Sequence, residues 1–437
     1  MVKLAEHKSR TEHNAIETAR LPDKAYIPLN QHIGKICNKV EVNPGDTVLR
    51  GQRLAGSDGN VFAPVHASIS GKVAGIQNWF HPLMGKSRAI VIENDGNDTP
   101  VPMSLRPQAE INALTPDQIR AIIFEAGIVG MGGASFPTHI KLNPPKPVDT
   151  LIINGCECEP YLTGDYRLMV ERTKEIILGM KLVAKCLGVK NIYIAVEDNK
   201  PEAIKAFEIL SGAVPADKQS GADTQYSVRT LKSLYPQGGE KQLIKNVLGK
   251  EIPRGRLPFD TGVVVQNVAT FFAVYEAVYK MKPLYERVVT VTGSCLSNPQ
   301  NLLVRIGTPI KQLVEFCGPL KNPPAKIIFG GPMMGIAKSS DLVPVIKSTT
   351  GIVLFTKEET GIKEEEFCIR CGACVKECPA GLMPCLINTA SEKGFWAHAK
   401  ANGCLDCIEC GICSYVCPAN RRIVQSIRRA KMEAMKL

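Results

Sequence analysis

Two short runs of cysteine constrain this chain more than any other feature. Cys368, Cys371, Cys374 and Cys378 follow the spacing Cys-x2-Cys-x2-Cys-x3-Cys-Pro. Cys407, Cys410, Cys413 and Cys417 repeat it 39 residues later. Eight of thirteen positions are identical between Cys368–Ala380 and Cys407–Ala419, so one structural unit is present twice. Of 16 cysteines, ten lie between Cys368 and Cys417. A chain of 437 residues can bury several cores and needs no disulfide staples. In a reducing compartment such crowding reads as metal ligation.

The spacing is that of two-cluster bacterial ferredoxins. Three thiolates two residues apart wrap one corner of an iron–sulfur cube, and the fourth, before proline, crosses to the other cube. Cys368, Cys371, Cys374 and Cys417 are therefore expected to hold one [4Fe–4S] cluster. Cys407, Cys410, Cys413 and Cys378 are expected to hold the second. Structural zinc also uses Cys-x2-Cys pairs, but it joins two separated knuckles rather than a continuous triple followed by Cys-Pro. Cys385 and Cys404 are surplus to this count. Cys37, Cys186, Cys295 and Cys317 are expected in cores.

The rest of the chain reads as a multidomain α/β and α+β protein. Residues 1–105 carry short strands and turns, such as Val40–Val48 and Ala63–Val73, that imply a small all-β unit. Residues 106–283 alternate strand and helix. Thr115 and Pro116 open a helix that Gly127 stops, Thr150–Ile153 is a strand, Lys174–Leu187 a helix and Asn191–Val196 a strand. Residues 284–356 fit a β-grasp unit, with strands at Arg287–Gly293 and Lys326–Phe329 around a helix at Pro309–Phe316. Residues 357–437 begin with a charged linker and contain the cysteine runs. No stretch of eighteen apolar residues exists, and the N-terminus lacks the apolar core of a signal peptide. No direct transmembrane insertion is expected; the protein is expected in the cytoplasm with peripheral membrane contact. The net charge of +11 favours anionic partners. Nucleic acid is not expected, because aromatics are 6% and no recognition helix or stacking platform is evident.

A glycine-rich loop, Gly127 to Lys141, follows the first helix of the α/β segment. It is neither a dinucleotide fingerprint nor a Walker A motif. Its glycines let backbone N–H groups approach a flat ring or a phosphate, and Lys141 can add a charge. Alone, it reads equally well as a tight turn. Asn154-Gly155-Cys156-Glu157-Cys158-Glu159-Pro160, Tyr235-Pro236-Gln237-Gly238-Gly239-Glu240 and Gln266-Asn267-Val268-Ala269-Thr270 follow it. In order and spacing the four segments resemble those of the flavoprotein subunit of respiratory complex I, which bind FMN and NADH. By that resemblance the segment is a Rossmann-like flavin-type domain. Gly130, Gly132, Gly133 and Lys141 would line the flavin phosphate and NADH side, and Asn154, Glu157, Glu159, Asn267 and Thr270 would contact the flavin. Glu240 would be the catalytic residue facing the nicotinamide nucleotide. Met131, Cys156, Gly239, Gln266 and Ala269 stand where that family has arginine, aspartate, glutamate, asparagine and glutamate.

The N-terminal segment resembles a biotinyl/lipoyl-type barrel-sandwich without its carrier lysine. The full order is barrel-sandwich, flavin-type domain, β-grasp (SLBB-like) domain and two-cluster ferredoxin-like helical domain. This order resembles the RnfC family, a component of the Rnf ion-translocating electron-transport complexes, over nearly the whole chain. The resemblance implies a peripheral NADH-side electron-transfer protein on the cytoplasmic face of the cell membrane. It further implies other subunits of a membrane complex as partners, coupling NADH and ferredoxin chemistry to Na⁺ or H⁺ translocation. The alternative is a soluble flavin-dependent NADH dehydrogenase module of a hydrogenase-like complex. Dye reduction by the isolated chain and co-purification with membranes separate the two. The basic tail after Cys417 is read either as a helix packing on the cluster domain or as a docking element for an anionic surface. The seven histidines show no ligand spacing.

Overall fold

The computed structural model describes residues 1–213, 225–361 and 363–437. Near the N-terminus a four-stranded sheet (Lys24–Pro28, Gly85–Asn94, Gly71–His81, Thr47–Val48) stands with a three-stranded one (Lys39–Val40, Arg53–Gly56, Val65–His66). Ala25, Ile27, Val48, Leu54, Val65, Ile90 and Ile92 fill the space they share. This is the expected barrel-sandwich.

The central unit is built on four parallel strands in the order Gln225–Leu231, Asn191–Glu197, Thr150–Gly155, Val263–Asn267. Three of its strands are largely buried on both faces, as befits a parallel sheet, and the edge strand Gln225–Leu231 is partly exposed. Leu151, Ile153, Ile192, Ile194 and Val264 face one helical layer that includes Pro116–Glu125, Thr173–Leu187 and Val268–Lys280. Ile152, Ala195, Val263 and Val265 face the other side, where the helix Glu240–Leu248 contributes Leu243 and Ile244. The helix Pro116–Glu125 starts with a capping box. Thr115 Oγ1 accepts from the Gln118 N–H, and Gln118 Oε1 accepts from the Thr115 N–H at 2.8 Å. Val263–Asn267 is a strand that leads directly into the helix Val268–Lys280. Among the described residues no helix is long and apolar enough to cross a membrane.

The helices Thr173–Leu187 and Val268–Lys280 touch through a glycine. A Cβ on Gly179 would lie 2.0 Å from the Phe271 carbonyl oxygen. Gly179→Ala must therefore push two packed helices apart. We expect a loss of about 1–3 kcal/mol, the usual cost of overpacking, read from chemical unfolding of the chain. An unchanged midpoint would contradict that close approach.

The third unit is a six-stranded mixed sheet in the order Ile16–Thr18, Gln300–Arg305, Glu286–Thr292, Gly351–Phe355, Lys326–Phe329, Ile336–Lys338, with the helix Ile310–Phe316 against it. Its edge strand comes from the N-terminus. Ile16 to Thr18 run parallel to Asn301 to Leu303, so a piece of the first 105 residues serves another sheet. The Lys347 ammonium, fully buried, ties the units together by donating to the carbonyls of Pro64 (2.7 Å) and Gly127 (2.6 Å).

The C-terminal unit packs the helices Pro384–Glu392, Trp396–Ala401 and Ile423–Ala434 around Leu382, Ile387, Ala399, Ile427 and Ala430. The linker carries a capped turn of helix, Lys357–Thr360. The basic tail is this unit's last helix, and its charges are matched within the chain. Arg428 and Lys431 reach Glu409 at 3.0 and 2.7 Å, Arg422 reaches Glu365 at 3.1 Å, and Arg421 pairs with Glu392. Arg429 lies over Trp396. Of the two readings, the packed helix is the one observed.

Candidate functional site

The two cysteine runs adopt the same backbone. Arg370 and Glu409, at equivalent positions, both take left-handed φ of 57°. Gly372 and Gly411 follow at 76° and 79°, and Gly381 and Asn420 at 62° and 51°. Non-glycine residues rarely adopt such angles, and a left-handed residue within a turn aims successive N–H groups into one concavity. The sulfurs already receive such groups. Glu409 N–H donates to Cys407 Sγ at 3.3 Å and Leu382 N–H to Cys378 Sγ at 3.4 Å.

The fourth cysteine of the first run stands with the second run. Cys378, Cys407, Cys410 and Cys413 line one cavity with Pro379, Leu382, Ile412 and Ile427. Burial pushes the Cys410 thiol up to about 11 and the Cys413 thiol up to about 12, and neighbouring thiols including Cys378 push in the same direction. Burial likewise raises Cys374, where Cys385 and Cys417 add to the effect. Thiols gathered this way cannot all ionise without a positive centre among them, and a bound metal supplies it. The donor set of Cys378 with Cys407, Cys410 and Cys413 therefore fits an iron–sulfur cluster with a crossed fourth ligand, and Cys417 beside Cys374 is the matching arrangement in the first run. Cys368 and Cys371 are exposed, whereas in the second run Cys410 and Cys413 are buried and Cys407 and Cys417 half-buried. Cys404 is buried behind it, and Cys385 lies beside Cys374.

The flavin-type motifs meet at the switch point of the parallel sheet. Connections from Thr150–Gly155 run toward one edge of the sheet, and Val263–Asn267 lies on the other side of that strand. Asn154 and Asn267 are register partners at the ends of these two strands. In open α/β sheets the crevice beyond such strand ends is where ligands bind. Gly132 sits over Asn267, whose Cβ a Gly132 side chain would meet at 3.1 Å. Gly133, at φ +107°, has open space where a side chain would go. The Met131 N–H donates to Thr270 Oγ1 at 3.0 Å, and Gly130 N–H donates to the Phe136 carbonyl at 2.9 Å. Buried polar atoms without protein partners include Ser135 Oγ in this loop, Gln266 Nε2 in the strand that ends in Asn267, and Gln237 Nε2 in the Tyr235–Glu240 segment. Buried polar groups are normally paired. An open glycine face with unpaired polar atoms beside it fits a polar aromatic ligand such as a flavin.

The expected contact residues are not all free to face that crevice. Asn154 donates to the Gly238 carbonyl at 2.9 Å and accepts from Cys156 N–H. Glu157 accepts from the N–H groups of Asp165 and Tyr166 at 2.9 and 3.1 Å. Glu159 is turned away. It accepts from the N–H groups of Met333 at 3.1 Å and Met334 at 2.8 Å, in the loop after the strand Lys326–Phe329. Lys141 and Glu240 form an ion pair of 2.6 Å. The substituted positions are mostly inward: Cys156, Met131 and Ala269 are buried, and the Cys156 thiol points at the Ala195 carbonyl.

Sequence reasoning passed over the charges beneath the loop. Asn267 Nδ2 donates to Asp165 at 2.6 Å, and Arg287 donates to the Met131 carbonyl at 3.3 Å. Burial, with Glu157 next to it, pushes Asp165 up to about 7, and burial brings Arg287 down to about 10. Nearby, Lys200 and Glu197 form a fully buried pair at 2.6 Å. Lys8 reaches in from the N-terminus to the carbonyls of Glu157 and Leu162. Isolated acids and bases with no spacing pattern gave no signal for any of these.

Four family models match in chain order. They are an RnfC barrel sandwich hybrid domain over residues 2–97, a Nuo51 FMN-binding domain over 123–276, an SLBB domain over 288–337 and a 4Fe-4S binding domain over 362–382. The corresponding component of the proton-translocating ferredoxin:NAD(+) oxidoreductase complex of Clostridium ljungdahlii is 46% identical over 98% of this chain and 91% of its own length. The chain belongs to the RnfC family. Other RnfC-type proteins give the same picture. The counterpart in the Na(+)-translocating complex of Acetobacterium woodii is 43% identical over 98% of this chain and 94% of that protein. The counterpart in the ion-translocating oxidoreductase complex of Rhodobacter capsulatus is 43% identical over 97% and 80%. Among solved structures, a chain of an NAD+-reducing [NiFe]-hydrogenase is similar in fold, with a TM-score of 0.54 and 18% identity. The match covers 75% of this RnfC family chain and 65% of that one.

Proposed function

We propose that this chain is the peripheral NADH-side electron-transfer subunit of a membrane-bound, ion-translocating NAD:ferredoxin oxidoreductase, placed on the cytoplasmic face. Its cofactors are FMN and two [4Fe–4S] clusters, and NADH is its substrate. The observation that carries the reading is the contact between the two candidate sites. Tyr235, in the motif that ends in Glu240, donates its hydroxyl to the Cys410 carbonyl of the second cysteine run at 2.8 Å, and Gln242, on the helix that Glu240 starts, donates to the carbonyl of Pro379 beside Cys378. Bound FMN would convert a two-electron hydride donor into single electrons that clusters can accept. The glycine loop offers its face to the ring, Lys141 offers a cation to the phosphate, and Glu240 opens its helix beside that lysine. The buried Cys410 and Cys413 would hold the cluster nearer the flavin, and the exposed Cys368 and Cys371 would hold the one that passes electrons on to partner subunits.

Anaerobically purified protein should release FMN and contain about eight iron and eight sulfide per chain. NADH should bleach the cluster absorbance. A chain that takes up no FMN and whose clusters do not respond to NADH is not an entry point.

Attachment follows from the matched charges of the tail. With its arginines and lysines largely paired internally, lipid attraction is weak and screened over about 8 Å at physiological salt. An apolar interface between subunits resists such washing. High salt should leave the chain on membranes that hold the integral subunits and release it when they are missing. Retention on protein-free anionic vesicles at high salt would sink this reading.

A further inference from the structure

We propose that Tyr235 is a positioning residue that holds the second-run cluster loop against the flavin-side motif and raises that cluster's reduction potential. The inference rests on the electron-transfer reading above and names the residue through which the two sites are joined.

Tyr235 is 2% exposed. Its hydroxyl donates to the carbonyl of Cys410 at 2.8 Å, and Glu159 Oε1 lies 3.4 Å from the same hydroxyl. One proton cannot serve both, and the shorter contact assigns it to Cys410. Tyr235 is itself fixed at both ends of its backbone. Its N–H and carbonyl pair with Val2 at 2.8 and 3.0 Å. Three residues on, Gly238 is bound to the strand-end motif. Its N–H meets Cys158 Sγ at 3.4 Å, its carbonyl accepts from Asn154, and a Cβ there would lie 2.5 Å from the Cys156 carbonyl. A short, rigid path thus runs from Asn154 at the switch point, through Gly238 and Tyr235, to the backbone of a cluster ligand.

A second path runs beside it. The Glu159 carboxylate holds the N–H groups of Met333 and Met334, and the Met333 carbonyl lies 2.6 Å from where a Gly411 side chain would begin. Gln242 donates to the carbonyl of Pro379, next to the crossing Cys378, at 3.1 Å. Among the described residues no hydrogen bond from these motifs reaches Cys368 to Cys374, the segment expected to supply three ligands of the other cluster. The link is therefore specific to one cluster.

A hydroxyl proton aimed at the carbonyl of a cluster ligand places the positive end of a dipole near the cluster. Hydrogen bonds around the cluster are among the factors that set its potential, and a positive end favours the reduced form. Tyr235→Phe keeps the ring and removes the donor. The loss of a single hydrogen bond shifts an equilibrium by up to about tenfold. The reduction equilibrium of the second-run cluster should fall by up to about tenfold, about 59 mV for one electron. The first-run cluster should not move.

The experiment is a redox titration followed by paramagnetic resonance on the full chain carrying FMN and both clusters. The second-run signal is the one missing in Cys378→Ala. A downward shift of that signal alone in Tyr235→Phe supports the proposal. Incorporating 3-fluorotyrosine at position 235 sharpens the hydroxyl as a donor and should move the same signal upward, so the proposal remains testable if the phenylalanine variant loses its cluster. Unchanged potentials in both variants, or equal shifts of both clusters, overturn it and leave Tyr235 a core residue. If the unmodified chain holds no flavin but two clusters, the entry-point reading fails, and the Tyr235 shift is still read from the clusters alone.

Discussion

Cys378→Ala should remove the cluster of the second run, not that of its own. Cys378 lines the same cavity as Cys407, Cys410 and Cys413 and, as a neighbouring thiol, adds to the burial that pushes all three up. In the converse arrangement Cys417 acts on Cys374. Iron should fall from about eight to about four per chain, and one of two paramagnetic signals should vanish. Cys417→Ala should give the complementary loss. The effect is large because a cluster with three ligands leaves an open iron, and because ligation is coupled to folding of the loops that carry it. Those loops carry short helical turns, Ala373–Lys376 and Ile412–Tyr415, over a small apolar core. Cys385→Ser should retain both clusters, since Cys385 lies beside Cys374 in addition to the four expected ligands of that site. Loss of the first-run signal alone in Cys378→Ala would refute the crossing.

That Cys378 lies in one cavity with the second run was legible because the spacing expects it there. So was the parallel sheet, whose strands read as buried runs such as Thr150–Ile153 and whose helices carry their own caps and stops. Thr115 with Gln118 opens one, and Gly188, at φ 64°, closes another. Long-range contacts leave no such trace. Val2 pairs with Tyr235, Lys8 reaches Glu157, and Ile16–Thr18 join a strand near residue 302. These partners are far apart in the chain, and no local period marks any of them. Within the candidate site the sequence pointed to the loops that meet at the switch point but not to what each side chain does there. Glu159 keeps the family motif's identity, yet its carboxylate is spent on the Met333 and Met334 amides. The tail's charges suggested a surface, but their partners, Glu365, Glu392 and Glu409, come from elsewhere in the cluster domain and its linker.

The Lys141–Glu240 pair gives the flavin site its sharpest test. The lysine ends the helical turn Thr138–Lys141 and the glutamate begins the helix Glu240–Leu248, so two separate motifs meet at 2.6 Å. A phosphate beside the ammonium would share that cation with the carboxylate. Lys141→Ala removes the phosphate's partner and also leaves Glu240 as an unmatched negative charge facing the same anion. A hydrogen bond to a charged group is worth about 1.5–3 kcal/mol, so FMN affinity should fall by about ten- to a hundredfold. Flavin fluorescence quenching during reconstitution measures it. Glu240→Gln alone should leave FMN and the clusters in place and slow reduction by NADH. The double variant should recover part of the flavin affinity that Lys141→Ala loses, because the residual repulsion is gone, yet stay slow with NADH. That non-additive pattern is what contacting residues give in a double-mutant cycle. Equal FMN affinity in the Lys141→Ala and unmodified chains would place the phosphate elsewhere, and additive losses in the double variant would show that Glu240 does not face the same ligand.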